Sequence, residues 1–104
     1  MTLAQLCTGL KKTGYPVAYY AFKSAQEPPF ICYLFVASAD LVADNTNYHA
    51  MSDVRCELYT SEKDLTAEAA VETQLKALGL AWSKAEVFIE AEDMYQITYT
   101  VRLV

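Results

Sequence analysis

Apolar residues recur along this chain with two periods, and each period predicts one type of element. Over residues 2–13, leucines repeat at i, i+3 and i+7, which is the spacing of one face of a helix. A second helix is predicted over residues 65–78, with Asp64 as its N-cap and apolar residues at i, i+4 and i+7. Gly14 and Gly79 stand where the two helices should end.

Alternation with a period of two predicts five strands. They cover residues 17–22, 30–38, 51–60, 82–90 and 94–104. The strand over residues 30–38 is apolar on both faces, which is typical of a strand buried on both sides. One face can pack on a helix, so the other should meet a further layer or another subunit. Residues 39–50 are rich in turn-forming residues and predict a hairpin around Asn45, Thr46 and Asn47.

The order of these elements predicts an α+β fold with one mainly antiparallel sheet and two helices packed on one of its faces. A length of 104 residues fits one domain that covers the whole chain. On the second helix, Glu68, Glu72 and Lys76 should form the polar side, and Glu72 and Lys76 have the spacing of a favourable ion pair.

The chain is acidic, with a formal net charge of −5 and a pI near 4.7. Its basic residues are scattered, which argues against sequence-specific binding of nucleic acid. Outward acids are predicted at Glu57, Glu86 and Glu90. They would either line a ring through which DNA passes without sticking, or form an ordinary solvated surface.

Three widely spaced cysteines, Cys7, Cys32 and Cys56, predict neither a disulfide framework nor a zinc site. Unpaired thiols fit a reducing compartment, and most of the three should be buried as small apolar residues. The most apolar stretch, residues 30–39, is about half the length of a membrane helix, so we expect no membrane partner.

No arrangement of residues predicts catalysis or a cofactor. The single histidine, His49, lies in the turn-rich segment without a nucleophile pattern beside it. The acids Glu90, Glu92 and Asp93 cluster at a predicted turn, where solvated carboxylates are more usual than a cation site. Because the three glycines form no phosphate-binding loop, we expect no cofactor, no metal and no enzymatic activity.

Tyrosine is frequent, with eight residues in the chain. Ordinary strand propensity explains such a count, but tyrosine is also enriched at subunit contacts. An apolar sheet face left uncovered would favour self-association. The predicted subunit interface consists of Tyr19, Tyr20, Tyr33, Phe35 and Tyr59.

Several segments together resemble a known class of protein. They are residues 13–20 (TGYPVAYY), 28–33 (PPFICY), 57–60 (ELYT), 62–64 (EKD), 86–90 (EVFIE) and 95–99 (YQITY). In combination they are similar to small structural proteins encoded in the morphogenesis clusters of tailed phages and prophages of Gram-positive bacteria. The similarity spans nearly the whole chain, and it is the combination that is specific.

The resemblance implies a tail-completion, tail-terminator or head–tail joining protein with a compact α+β fold. Such proteins often form rings, commonly hexameric, that cap the tail tube and meet the head connector. It implies assembly in the bacterial host cytoplasm and then a place in the neck or tail of the virion. A loop that orders on docking is expected within residues 40–50, and its candidate docking residues are Asp40, Asp44, Asn45, Asn47 and His49.

Three hypotheses therefore remain at this point. The first is a non-enzymatic structural subunit that self-associates and docks to tail-tube and head-connector proteins. The second is a soluble α+β module that binds a small ligand or a peptide. The third is an enzyme whose site shows no known pattern.

Overall fold

The computed structural model describes residues 1–38, 41–43, 46–49 and 51–104. Its helices are α1 (Leu3–Lys11) and α2 (Leu65–Ala77). Its strands are β1 (Val17–Tyr19), β2 (Phe30–Ser38), β3 (Leu41–Ala43), β4 (Thr46–His49), β5 (Ser52–Thr60), β6 (Trp82–Ile89) and β7 (Met94–Leu103). A single 3-10 turn, Glu90–Glu92, joins β6 to β7.

Five of the strands form one sheet in the order β1-β2-β5-β7-β6. The pairings β2–β5, β5–β7 and β6–β7 are antiparallel, and only β1 runs parallel to its neighbour β2. The predicted α+β class and mainly antiparallel sheet are therefore confirmed. β1 and β6 are the two edges of the sheet, at opposite ends of its strand order.

Both helices pack on the same face of this sheet, as predicted. Leu6 and Leu10 of α1 and Val71 and Leu75 of α2 are fully buried. They belong to one core cluster with alternate residues of β2, β5 and β7, namely Ile31, Val54, Cys56, Leu58, Ile97, Tyr99, Val101 and Leu103. Because side chains of a strand alternate between its faces, these residues define the helix-covered face, and the opposite face lacks such a layer among the described residues.

Local sequence explains where each helix begins. Thr2 caps α1 with a reciprocal pair, since the Gln5 N–H donates to the Thr2 hydroxyl and the Gln5 side-chain oxygen accepts from the Thr2 N–H. The Asp64 carboxylate accepts from the Ala67 N–H at 2.9 Å and caps α2, as predicted. Gly79 has a φ of +75° directly after α2, a conformation that glycine adopts without strain.

The end of β1 and the position of the turn in the predicted hairpin differ from the sequence prediction. β1 ends at Tyr19 rather than at residue 22, because Tyr20 has a φ of +67° and leaves the extended conformation. Thr46 and Asn47 lie in β4 rather than in a turn, since Ala43 pairs with Thr46 and Val42 with Asn47. Asn45, the third residue of that predicted turn, lies outside the described residues.

β3 and β4 form a two-stranded ribbon separate from the main sheet. The ribbon lies in the chain between β2 and β5, beyond the end of β2 where residues 35–38 are exposed. The chain is elongated, with extents of 49 × 28 × 24 Å and a radius of gyration of 14.5 Å. A compact domain of this length has a radius of gyration of about 13 Å. Among the described residues, no helix has the length and apolar character needed to cross a membrane.

Candidate interaction surface

Four of the five predicted interface residues come together at the β1–β2 edge. The rings of Tyr19 and Tyr33 meet edge to face, with 5.2 Å between their centroids. The Phe35 N–H donates to the Tyr19 hydroxyl at 3.2 Å. Tyr33 is half-buried, while Tyr19 and Phe35 keep 48% and 45% of their surface exposed. We call the four residues Tyr19, Tyr20, Tyr33 and Phe35 the aromatic edge.

Tyr20 completes the aromatic edge by an unusual backbone conformation. Its φ of +67° is rare for a bulky residue, and its N–H donates to the Tyr33 carbonyl at 2.8 Å. This hydrogen bond holds the chain where it turns away from the sheet. The Tyr20 side chain is left 68% exposed, which makes it the most exposed aromatic residue of the aromatic edge.

The Cys7 thiol of α1 interacts with Tyr33, the half-buried residue of the aromatic edge. Burial, followed by the interaction with the Cys7 thiol, raises the pKa of Tyr33 to about 12. Tyr33 is therefore neutral at all physiological pH values, and it lies between Tyr19 and the Cys7 thiol of α1.

Tyr59 lies apart from the other predicted interface residues, on the sheet face away from the helices. Its ring stacks on Phe30 with 4.8 Å between centroids. Its hydroxyl donates to the Glu57 carboxylate at 3.1 Å and accepts from the Gln96 amide at 2.9 Å. Burial and the adjacent carboxylate of Glu57 raise the pKa of Tyr59 to about 12. These contacts within the chain hold both the ring and the hydroxyl of Tyr59 in place.

The sheet face away from the helices is apolar in some strands and polar in others. β2 contributes Phe30, Cys32 and Leu34, whereas β5 and β7 contribute a polar set that includes Asp53, Arg55, Glu57, Gln96 and Arg102. Arg102 binds Asp53 through two hydrogen bonds of 2.9 and 3.3 Å and holds the pKa of Asp53 below its ordinary value. The apolar part of this uncovered face is therefore confined largely to β2, and the middle of the sheet is polar there.

A groove lies where the loop after β1 passes over this face. It has a volume of about 450 Å³. Its walls include Phe22, Phe30, Cys32, Tyr59 and Met94, with Tyr20, Lys23 and Glu92 at polar positions. Phe22 meets Phe30 edge to face at 5.5 Å, so the apolar part of the groove is one connected aromatic cluster.

The predicted docking residues can be located only in part. Asn47 and His49 lie in β4, within the ribbon that β4 forms with β3. Asp40, Asp44 and Asn45 lie outside the described residues. The predicted acidic turn is an exposed 3-10 turn, and no cluster of His, Cys, Asp and Glu suited to a metal occurs in the described part of the chain.

The predicted outward acids have different environments. Glu57 does point away from the helices, but it is buried and accepts from Tyr59 and from the Gln96 amide at 3.0 Å. Glu86 lies on the helix side of β6, where the Lys63 ammonium is 2.7 Å from its carboxylate. Only Glu90 of the three is exposed without a contact of this kind among the described residues.

Sequence reasoning missed an ion-pair network between α2 and β6. Glu68 was predicted to face water, but it is only 2% exposed. Its two carboxylate oxygens lie 2.7 Å from the Lys63 ammonium and 2.7 Å from the Lys84 ammonium. Lys84 also contacts Glu72 at 2.9 Å, so Glu72 pairs with β6 rather than with the residue one turn along its own helix.

The network sets the charge states of its members. Burial acts to raise the pKa of Glu68, but Lys63 and Lys84 outweigh burial and hold the pKa below its ordinary value. The same holds for Glu72, where Lys84 and the Tyr99 hydroxyl, which donates at 2.7 Å, oppose burial. The only sequence signal was Lys84, a lysine on the helix-facing side of β6. Its partners, Glu68 and Glu72, could not be inferred without knowing how α2 packs on the sheet.

No protein-family model matches this sequence, and no curated protein matches it. One solved structure with a similar fold is a chain in the virion of a native gene transfer agent particle. The two chains superpose with a TM-score of 0.65 and 19% sequence identity, over 95% of this chain and 87% of that chain. At this identity the similarity shows a shared fold over almost the entire chain.

Proposed function

We propose that this chain is a non-enzymatic structural subunit of the neck or tail of a tailed phage, a prophage or a related particle. In this role it acts in tail completion, tail termination or head–tail joining. The observation that carries the proposal is the fold, which nearly the whole chain shares with a chain of a virion particle. The resemblance of six sequence segments to phage morphogenesis proteins points to the same class independently of the coordinates.

The aromatic edge supports self-association, the first requirement of such a role. Tyr19, Tyr20 and Phe35 expose about half or more of their surface on one edge of the sheet. Exposed tyrosine and phenylalanine provide large contact area with little loss of side-chain entropy, which is why they are frequent at interfaces. In a ring, the aromatic edge of each subunit would contact one neighbouring subunit. Such rings are commonly hexameric in the proteins that the sequence resembles.

The β3–β4 ribbon supports docking, the second requirement. A ribbon separate from the main sheet presents backbone donors and acceptors along both of its sides. Tail-tube and head-connector proteins are the proposed partners, with Asn47 and His49 on the proposed docking element. The subunit would assemble in the host cytoplasm and then become part of the virion.

A groove-binding function is the second candidate, and the groove of about 450 Å³ favours it. This size and the mixture of aromatic and polar walls fit a small ligand or a peptide side chain. In that case the chain would be a soluble binding module. A ligand that binds only the folded state would then raise the stability of the isolated chain.

The decisive experiment examines particles from the strain that carries the gene. Purified particles from the intact strain should contain the chain by mass spectrometry. A deletion of the gene should leave heads and tails unjoined or tails of irregular length in electron micrographs, and the gene supplied in trans should restore joined particles. Absence of the chain from the particles, together with normal particles in the deletion strain, would contradict the proposed function.

A further inference from the structure

The two edges of the sheet differ in chemistry in a way that indicates how copies of the chain meet. Resting on the proposed self-association, we propose that the β1 edge of one copy contacts the β6 edge of the next, head to tail. The partner is therefore a second copy of this chain. The centre of the face away from the helices is not the contact surface, because internal polar contacts occupy it.

The β6 edge offers the longer surface. β6 has eight residues and pairs only with β7 among the described strands, so its outer side is an open strand edge. Val87 and Phe88 lie on this strand and are 52% and 44% exposed. An exposed edge with adjacent apolar side chains is a ready site for another chain unless a partner covers it.

Carboxylates lie at one end of the β6 edge, just beyond its apolar part. Glu90, Glu92 and Asp93 follow the strand directly and are all exposed. Residues 85–101 contain four acids and no lysine or arginine. This end of β6 thus has one exposed apolar side chain on each face of the sheet, next to a group of carboxylates.

The β1 edge has the opposite charge. Tyr19 and Tyr20 provide exposed aromatic surface, and Lys11 and Lys12 are exposed at the end of α1, which packs beside β1. Residues 1–26 contain three lysines and no acid. Aromatic rings and ammonium groups on one edge therefore complement apolar side chains and carboxylates on the other.

Complementary but different patches predict a heterologous contact. Two β1 edges, or two β6 edges, would place like charges together, which disfavours a two-fold dimer. A contact between β1 and β6 leaves one free edge of each kind on every growing assembly. Such a contact produces a ring when the rotation closes, and an open filament when it does not.

The test uses one substitution on each edge and the two combined. Tyr20→Asp places a carboxylate opposite the acidic edge, and aspartate tolerates the positive φ at this position. Val87→Lys places an ammonium opposite the basic edge at an exposed strand position. Each variant alone should weaken association about tenfold or more, measured by sedimentation velocity over a range of concentrations. The double variant should recover association, because its two substituted positions now join opposite charges.

A matched control and the contrary outcomes complete the test. Val104→Asp changes an exposed apolar residue outside both edges and should leave association unchanged, with circular dichroism melts confirming that all variants fold. A double variant weaker than both single variants would contradict the head-to-tail contact. Normal association of both single variants would overturn the assignment of edges and leave the virion role intact. A wild-type chain that stays monomeric would overturn self-association itself, whereas the particle experiment judges the virion role separately.

Discussion

At the scale of single residues, Glu68 is the side chain whose surroundings differ most from those its position in the helix predicts. Helical spacing assigns it to the polar side of α2, yet it is buried between the ammonium groups of Lys63 and Lys84, where α2 packs beside β6. A carboxylate can be buried here because opposite charges on Lys63 and Lys84 compensate for the lost hydration. The two lysines remain partly exposed, so the network joins α2 to β6 at the boundary between the core and solvent.

Replacing this carboxylate by an amide should destabilise the chain. Glu68→Gln keeps the shape but removes the buried charge that both ammonium groups share. Among the described residues, Lys63 then keeps only Glu86 and Lys84 only Glu72 as charged partners. We expect a loss of about 1–3 kcal/mol in the free energy of unfolding. Urea denaturation measures this value. Glu62→Gln, at an exposed position just before Lys63, is the matched control and should change stability by less than about 0.5 kcal/mol. Equal effects of the two substitutions would show that the network contributes little.

The same residues predict how stability depends on pH. Folding lowers the pKa of Glu68, Glu72 and Asp53, so the unfolded chain binds more protons around its ordinary carboxyl pKa. Their contribution is present above about pH 4.3 and is lost as the pH falls through the lower folded-state values. Urea midpoints measured from pH 6 down to pH 2.5 should fall in the acid range, and Glu68→Gln should make that fall shallower. A slope unaffected by the substitution would contradict this assignment.

At the scale of elements, helices and long strands follow directly from the spacing of apolar residues. Several elements depend only on caps and apolar spacing that can be read from the sequence. They are the capped helices, the β6–β7 hairpin and the inward alternation of Val54, Cys56 and Leu58. The end of β1 and the ion-pair partner of Glu72 could not be predicted in this way, because each depends on a contact with a distant segment of the chain. The Tyr33 carbonyl fixes Tyr20, and Lys84 attracts Glu72 across the sheet edge.

Contact between the two helices gives a further prediction at this scale. A Cβ at Gly9 would lie 2.7 Å from a terminal methyl of Leu78, so alanine fits at this position only if the Leu78 side chain moves out of its packing. Gly9→Ala should therefore destabilise the wild-type chain although alanine favours helices by about 1 kcal/mol. In a Leu78→Ala background the same change should be stabilising by about that amount. A double-mutant cycle from thermal melts measures this coupling, and a coupling energy of zero would exclude the clash.

At the scale of the whole molecule, the segments that contain the two edge strands differ in charge. The first 26 residues carry only positive charges, and residues 85–101 carry only negative ones. The net charge of −5 conceals this difference, which becomes informative once the fold places β1 and β6 on opposite edges. The proposed contact uses Tyr19 and Tyr20, which the sequence had suggested as interface residues, whereas Val87 and Phe88 became candidates only when β6 proved to be an edge.

Salt should weaken association if opposite charges meet at the contact. Raising the ionic strength from about 0.05 M to about 0.5 M shortens the distance over which the charges interact from above 10 Å to below 5 Å. We expect the dissociation constant measured by light scattering to rise several-fold, with the apolar contacts of Tyr20 and Val87 maintaining residual association. An affinity that increases with salt would indicate a contact of purely apolar character instead.

The molar mass of the wild-type chain in solution, measured by size-exclusion chromatography with light scattering over a hundredfold range of concentration, tests the central claim most directly. The account predicts a mass that rises above the 11.6 kDa of one chain and levels off at a fixed multiple, as a closed ring requires. A constant mass of 11.6 kDa at every concentration would contradict it.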